Sequence, residues 1–521
     1  GRVSIIPYSA IWIIPCTESM VSDKGDGEMS QKPVNIVWFC TDQQRYDTIH
    51  ALGNPYIHTP NIDRLIEEGV AFTRAYTQAP VCTPSRSCFL TGRYPRTTKA
   101  FYNGNDNYSK DEKLVTKLLA DSGYVCGLSG KLHLTSAQGR MEKRTDDGYS
   151  YVQWSEHPND DWPGGENDYQ NWLKEKGLRW EDIYGGKYTS MATWPPKPNP
   201  HFTGKTVGVP AEYHQTTWCV EKAIEFIEQN RSSGKPWLIS MNPYHPHPPL
   251  DPPQAYKDRL NIEDMPLPLW KDGELDSKPP HQQKDYMQGG QDGQAEPYPT
   301  LTENDRRERF RDYYAEIELV DDQFGRLMNY LEETGQREQT LVIFMSDHGE
   351  MNGDHGLYWK GAYFYEALVH IPLIMSCPSL FKSGLKSDAL VELVDLAPTL
   401  MELTGQEAPY YMQGKSLLPI LTGQADPHHH KDSVYSEFYH CLLGSHDNIY
   451  ATMYYDGRYK IVNYHRMEYG ELYDHETDPE EFCNLWDKPE YALKKAELIK
   501  KNFDSAVMKN MDRSMHMINE Y

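Results

Sequence analysis

"VNIVWFCTDQQ", residues 34–44, is an almost unbroken apolar run that ends abruptly in a carboxylate and two amides. It is too short for a buried helix, and it does not alternate as a strand with one wet face would. It therefore predicts a strand buried on both faces, in a sheet covered by helices on either side. Three more stretches share this form: "YVCGLSG" (124–130), "PWLISMN" (236–242) and "TLVIFMS" (340–346). Amphipathic segments lie between them. "TPNIDRLIEEG" (59–69) reads as a helix with Thr59 as cap, Pro60 at the first helical position and Gly69 closing it. "KLVTKLLADSG" and "EKAIEFIEQN" are helices ahead of the second and third strands. A long helix from 305 to 334 sets Phe310, Tyr314, Ile317, Val320, Phe324, Leu327 and Leu331 on one face ahead of the fourth. Strands and helices that alternate in this way make an α/β fold.

Each of these strands exits into polar residues. The first delivers Asp42 and Gln43, the second Lys131 and His133, the third His245 and His247, the fourth Asp347 and His348. Ligands of an open parallel sheet bind beyond the carboxyl ends of its strands. One aspartate there is often a helix cap; four such endings describe one site. Asp42, Gln43, Asp347 and His348 offer oxygens and one imidazole, a set suited to a divalent cation such as calcium or magnesium. Lys131, Arg86, Lys360 and the histidines supply positive charge and proton transfer. A tetrahedral oxyanion that gains charge during transfer needs both. His245 reads equally well as a core histidine and is left out of the site.

The stretch "APVCTPSRSCFLTGRYP" (79–95) adds a thiol. Pro84 suits the first position of a helix, so Cys82 would face its N-terminal dipole, and a plain cysteine there would have a depressed pKa. A thiolate matches a hard cation and oxygen ligands poorly. Nor does an arginine four residues after the cysteine match the phosphatase loop, where it comes six after. The residues fit an oxygen nucleophile made from the cysteine.

"CTPSRSCFLTGR" (82–93) is identified as the signature of the sulfatases, Cys-x-Pro-Ser-Arg followed by Leu-Thr-Gly-Arg. The resemblance runs from about residue 33 to 490 and includes "GKLHL" (130–134), "DHGEMNGDHGLYWKG" (347–361), "VDLAPTLMELTG" (394–405) and "GELYDHETDPEEFCNL" (470–485). It implies an alkaline-phosphatase-like α/β sandwich around a large mixed sheet, with a smaller C-terminal antiparallel-sheet domain. It implies that a formylglycine-generating maturation enzyme converts Cys82 to formylglycine, which serves as nucleophile and metal ligand. Arg86 would stabilise the aldehyde hydrate, and Lys131 and Lys360 would bind sulfate oxygens. His133 would take the proton that lets the sulfated intermediate collapse, and His247 would hold or protonate the leaving group. Asp42, Gln43, Asp347 and His348 would hold one divalent cation, calcium in preference to magnesium. Many sulfatases carry Asp-Asp where this chain has Asp42-Gln43, and Asp-Asn where it has Asp347-His348. Asp-His is shared with iduronate-sulfatase-like members, and both pairs together with phosphonate monoester hydrolases. Sulfate ester hydrolysis on a sulfated carbohydrate is the expectation. The alternative is a phosphonate monoester or phosphodiester hydrolase on the same scaffold, although those relatives replace the Lys and His of "GKLHL" by neutral residues.

The chain has 521 residues and a formal net charge of −24, which disfavours nucleic acid and anionic membrane as partners. No run approaches the length of a membrane span. Residues 1–32 read as a leader or disordered N-terminus. The location would be periplasmic or extracellular if they form an export signal, and cytoplasmic if translation starts at Met20 or Met29. Residues 33–430 form the expected catalytic domain, with insertions at 141–210 and 248–303 read as lids, and 431–521 a C-terminal subdomain. Nine scattered cysteines without a C-x-x-C pair indicate neither a zinc knuckle nor a disulfide framework. His428, His429 and His430 read as part of a solvated linker.

Overall fold

The computed structural model describes residues 33–510 apart from 106–107, 137–140, 157–166, 179–182, 184–207, 294 and 443–445; the expected leader and the middle of the 141–210 insertion lie outside the described residues. The strands in chain order are β1 (Asn35–Thr41), β2 (Val70–Phe72), β3 (Ala75–Tyr76), β4 (Val125–Gly130), β5 (Tyr149–Trp154), β6 (Trp237–Asn242), β7 (Thr340–Ser346), β8 (His370–Ile371), β9 (Leu373–Ser376), β10 (Leu385–Ser387), β11 (Val391–Glu392), β12 (Val434–Tyr439), β13 (Tyr450–Tyr455), β14 (Tyr459–Tyr464) and β15 (Gly470–Asp474).

Eight of them form one sheet in the order β10-β2-β9-β7-β1-β6-β4-β5. Neighbours pair in parallel except on either side of β9, which runs against β2 and β7. The four apolar runs are thus adjacent and co-directional at its centre, as β7-β1-β6-β4. Both faces are buried. Ile36, Trp38 and Cys40 of β1 join one apolar cluster and Val37 and Phe39 join another, on opposite sides of the strand. Phe39 packs with Phe344 of β7 and Phe324 of the helix Glu303–Glu333, ring centroids 5.3 Å apart in each case. Truncating Phe39 to alanine would cost about 3–5 kcal/mol.

The long helix is capped as its composition suggests: Thr302 and Asp305 exchange side-chain-to-backbone hydrogen bonds in a capping box. All seven residues expected on its apolar face are buried. The C-terminal meander β12-β13-β14-β15 is antiparallel and is packed by the helix Ala492–Asn510.

The insertion at 248–303 contains short helices, Gln254–Lys257 and Pro280–Gln288, and an aromatic cluster. Trp270 stacks on Tyr286 with centroids 5.0 Å apart, and both join Tyr298, Tyr358 and Trp359. Leu269 donates its amide to Asp354 Oδ1 (2.8 Å) and accepts from the His355 amide (2.7 Å). The insertion is therefore riveted to the segment that carries Lys360. No helix among the described residues is long and apolar enough to cross a membrane.

Candidate active site

The carboxyl ends of the central strands are stitched together by main-chain hydrogen bonds. Asp347 donates its amide to Thr41 O (3.3 Å), Asp42 to His245 O (3.3 Å) and Lys131 to Asn242 O (2.8 Å). Gly130 makes the last contact possible: its φ is +100°, and a Cβ would lie 2.1 Å from Asn242 O. Gln43 and His133 adopt positive φ without being glycine (66° and 58°), strain of the kind that surrounding structure must hold in place.

The helix Cys82–Thr91 points its start at this edge. It begins at Cys82 itself, so Pro84 is its third residue rather than its first; the first-turn amides need no intrahelical acceptor, and proline is tolerated there equally. Ser85 Oγ donates to Asp347 O (2.6 Å) and Thr83 Oγ1 to His133 O (2.8 Å). These bonds tie the helix to the ends of β7 and β4.

Cys82 Sγ lies 2.8 Å from Lys360 Nζ, 3.1 Å from His348 Nε2, 3.6 Å from Asp42 Oδ1 and 3.9 Å from Lys131 Nζ. Lys131 pairs with Asp42, and Lys360 donates to Gln43 Oε1 (2.9 Å). Arg86 Nε donates to Asp347 Oδ2 (2.9 Å), and its guanidinium reaches 3.6 Å from Asp42 Oδ2. Burial would raise the Asp42 carboxyl, but Lys131, His247, Arg86 and Lys360 together hold it well below the ordinary range. His247 is half-buried and within electrostatic reach of the site. His133 is buried two residues beyond Lys131. His245 is fully buried against His214 and Tyr244, and only its carbonyl touches the Asp42 backbone.

The expected depression of the Cys82 pKa is not found. Burial first and the Asp42 carboxylate second push the thiol up to about 11, outweighing Lys131 and Lys360. One helix terminus does not overcome full desolvation. The linker histidines divide: His428 and His429 are exposed, whereas His430 is buried with Nε2 3.3 Å from Asp395.

The donor chemistry fits a divalent cation. Ligand atoms of Asp42, Cys82, Asp347 and His348 all lie within 4.8 Å of one another. The Nδ1–H of His348 donates to Gly349 O (2.8 Å), which leaves the Nε2 lone pair facing oxygens of Asp42 and Asp347, each 3.9 Å away. Burial lowers this imidazole to about 4, keeping it neutral and able to ligate.

Glu350 was not singled out from the sequence. Its Oε2 accepts from Gln43 Nε2, and its Oε1 accepts from the amides of Asn352 (2.8 Å) and Trp359 (2.7 Å). It thereby turns Gln43 Oε1 toward the site. Its place three residues after Asp347 was the available signal, but a glutamate after a strand has no distinctive pattern. Glu156 is the second such residue, buried 3.8 Å from Lys131 Nζ and bonded to Ser136 Oγ (2.6 Å).

The family model described as Sulfatase matches residues 34–406, and one described as N-sulphoglucosamine sulphohydrolase, C-terminal, matches 353–507. An arylsulfatase of Clostridium perfringens is 28% identical over 88% of this chain and 91% of its own. An N-acetylglucosamine-6-O-sulfatase of Bacteroides thetaiotaomicron is 26% identical over 95% and 89%. Among solved structures, a phosphonate monoester hydrolase of Silicibacter pomeroyi superposes with a TM-score of 0.76 at 24% identity, covering 92% of this chain and 96% of its own, a likeness of fold.

Proposed function

Because this chain belongs to the sulfatase family, it is a sulfuric ester hydrolase, and we propose that it releases sulfate from a carbohydrate with residue 82, matured to formylglycine, as nucleophile. The carrying observation is the surround of Cys82: two ammonium groups, a neutral imidazole and two carboxylates converge on one buried side chain from the ends of β1, β4 and β7 and from the segment that carries Lys360. That arrangement suits a group that must hold a sulfuryl anion, and its relatives support a sulfated sugar as substrate.

Residue 82 would act as an aldehyde hydrate. One hydroxyl loses its proton to solvent and attacks sulfur, the bond from sulfur to the sugar oxygen breaks, and His247 gives that oxygen its proton and is reprotonated from water. Lys131 and Lys360 hold the sulfate oxygens, and Arg86 steadies the hydrate. His133 then takes the proton of the second hydroxyl, the carbon–oxygen bond to sulfate breaks, and the aldehyde is restored. A cation held by Asp42, Gln43, Asp347 and His348 would neutralise charge on the transferring oxygens; the mostly oxygen donor set favours calcium over magnesium. Elemental analysis of active enzyme should find calcium.

The test is a screen of sulfated mono- and oligosaccharides read by sulfate release, using protein made with the maturation enzyme. Mass spectrometry of the peptide holding residue 82 should show the aldehyde. Full activity from unmodified Cys82 refutes the nucleophile. Preference for aryl phosphodiesters or phosphonates over every sulfate ester refutes the substrate.

A further inference from the structure

A second group of ligating side chains lies behind the first. His214 caps the helix Gln215–Asn230, His245 and Asp251 follow β6, and Glu316 sits within the helix Glu303–Glu333. All four are buried, and their ligand atoms lie within 4.8 Å of one another. His214 Nε2 is 3.3 Å from Glu316 Oε2 and 3.5 Å from Asp251 Oδ1; His245 Nε2 is 3.2 Å from Asp251 Oδ1 and 3.9 Å from Glu316 Oε2. Donors bound tetrahedrally to zinc at its usual bond lengths stand about 3.3–3.6 Å apart. These four edges bracket that spacing.

An ion-pair cluster without a metal is the plainer account of such a group. It predicts that the buried charges close into hydrogen bonds. One edge closes in this way, His245 Nε2 with Asp251 Oδ1. The other does not: His214 Nε2 and Glu316 Oε2 face each other as an ion pair, and neither atom has a hydrogen-bond partner among the described residues. The outward atoms, by contrast, are held. Glu316 Oε1 accepts from the Asp251 amide (2.8 Å), and His245 Nδ1 is 2.9 Å from Thr216 Oγ1. Outer partners of this kind orient metal ligands.

We propose that His214, His245, Asp251 and Glu316 form a closed site for a zinc ion, distinct from the cation site at Asp42. Two carboxylates neutralise the dication, and mixed imidazole and carboxylate donors suit a borderline metal. Coordination through Nε2 places the remaining His214 proton on Nδ1 and gives up a long contact with the Thr216 amide (3.4 Å). Four protein ligands leave no open position, so the ion is structural. It fixes the turn 244–247, whose His245 carbonyl holds the Asp42 amide and which carries His247.

The experiment separates this site from the first. Asp347→Asn weakens the catalytic cation site, and the full-length variant is equilibrated with zinc alone, desalted and measured by elemental analysis and zinc K-edge absorption. About one tightly held zinc per chain is expected in Asp347→Asn, with four-coordinate nitrogen and oxygen donors. Asp347→Asn/Glu316→Gln should lose it. Asp347→Asn protein that retains no zinc overturns the proposal, as does retention of full zinc in the double variant. If the double variant does not fold, the spectrum of Asp347→Asn decides: two imidazoles in a four-coordinate shell support the site, and a six-coordinate oxygen shell overturns it.

Discussion

Glu350→Gln tests how the site is held, because it changes one atom of a fully buried side chain and leaves its volume intact. The two amides that Glu350 Oε1 accepts are fixed backbone donors, so the new carbonyl oxygen must stay on that side. The new NH2 group then faces Gln43 Nε2, donor against donor. Gln43 escapes the conflict by turning its amide over, which presents NH2 to Lys360 Nζ where Oε1 now accepts at 2.9 Å. The lost hydrogen bond involves a charged donor, a loss of about 1.5–3 kcal/mol, and the cation site forfeits one oxygen ligand. At about 1.4 kcal/mol per decade this is roughly a 10- to 100-fold weakening. Calorimetric titration of metal-stripped protein with calcium should show the weaker affinity. Turnover of an aryl sulfate should recover in part as calcium is raised. Wild-type calcium affinity together with wild-type turnover would refute the assigned role of Glu350.

Cys82→Ala should fold, since alanine suits a first helical position, and should lose all turnover; circular dichroism and sulfate release check the two halves. His133→Ala should slow sulfate departure more than transfer, so that brief exposure to an activated aryl sulfate leaves a sulfate adduct on the residue-82 peptide; lost turnover without an adduct would place His133 in the first step. Glu156 has a folded pKa raised to about 7 by burial, so its contribution to stability is full below about 4.5 and is lost as pH rises to about 7. Glu156→Gln should remove that slope, a difference on the order of 3 kcal/mol between the two ends in paired denaturation curves. Identical pH profiles for the two proteins would mean that this carboxyl titrates normally.

The central strands were legible because burial on both faces writes itself locally, as in "VNIVWFC" and "TLVIFMS", and because a parallel sheet must send all its strand ends to one edge. Asp42, Lys131, Asp347 and His348 followed from that rule before any motif was considered, and the twelve residues from Cys82 supplied the chemistry. What local pattern could not carry was contact across the chain. Lys360 approaches Cys82 to 2.8 Å over 278 positions, and His214, Asp251 and Glu316 meet from separate elements without sharing a periodicity. Nor could it carry desolvation. The thiol of Cys82 stands above its ordinary pKa because the folded chain closes over it, and Glu350 matters only because its two oxygens are surrounded by donors that tertiary packing delivers. Side-chain periodicity is a property of neighbours in sequence, whereas the pairing and dehydration of buried charges belong to neighbours in space.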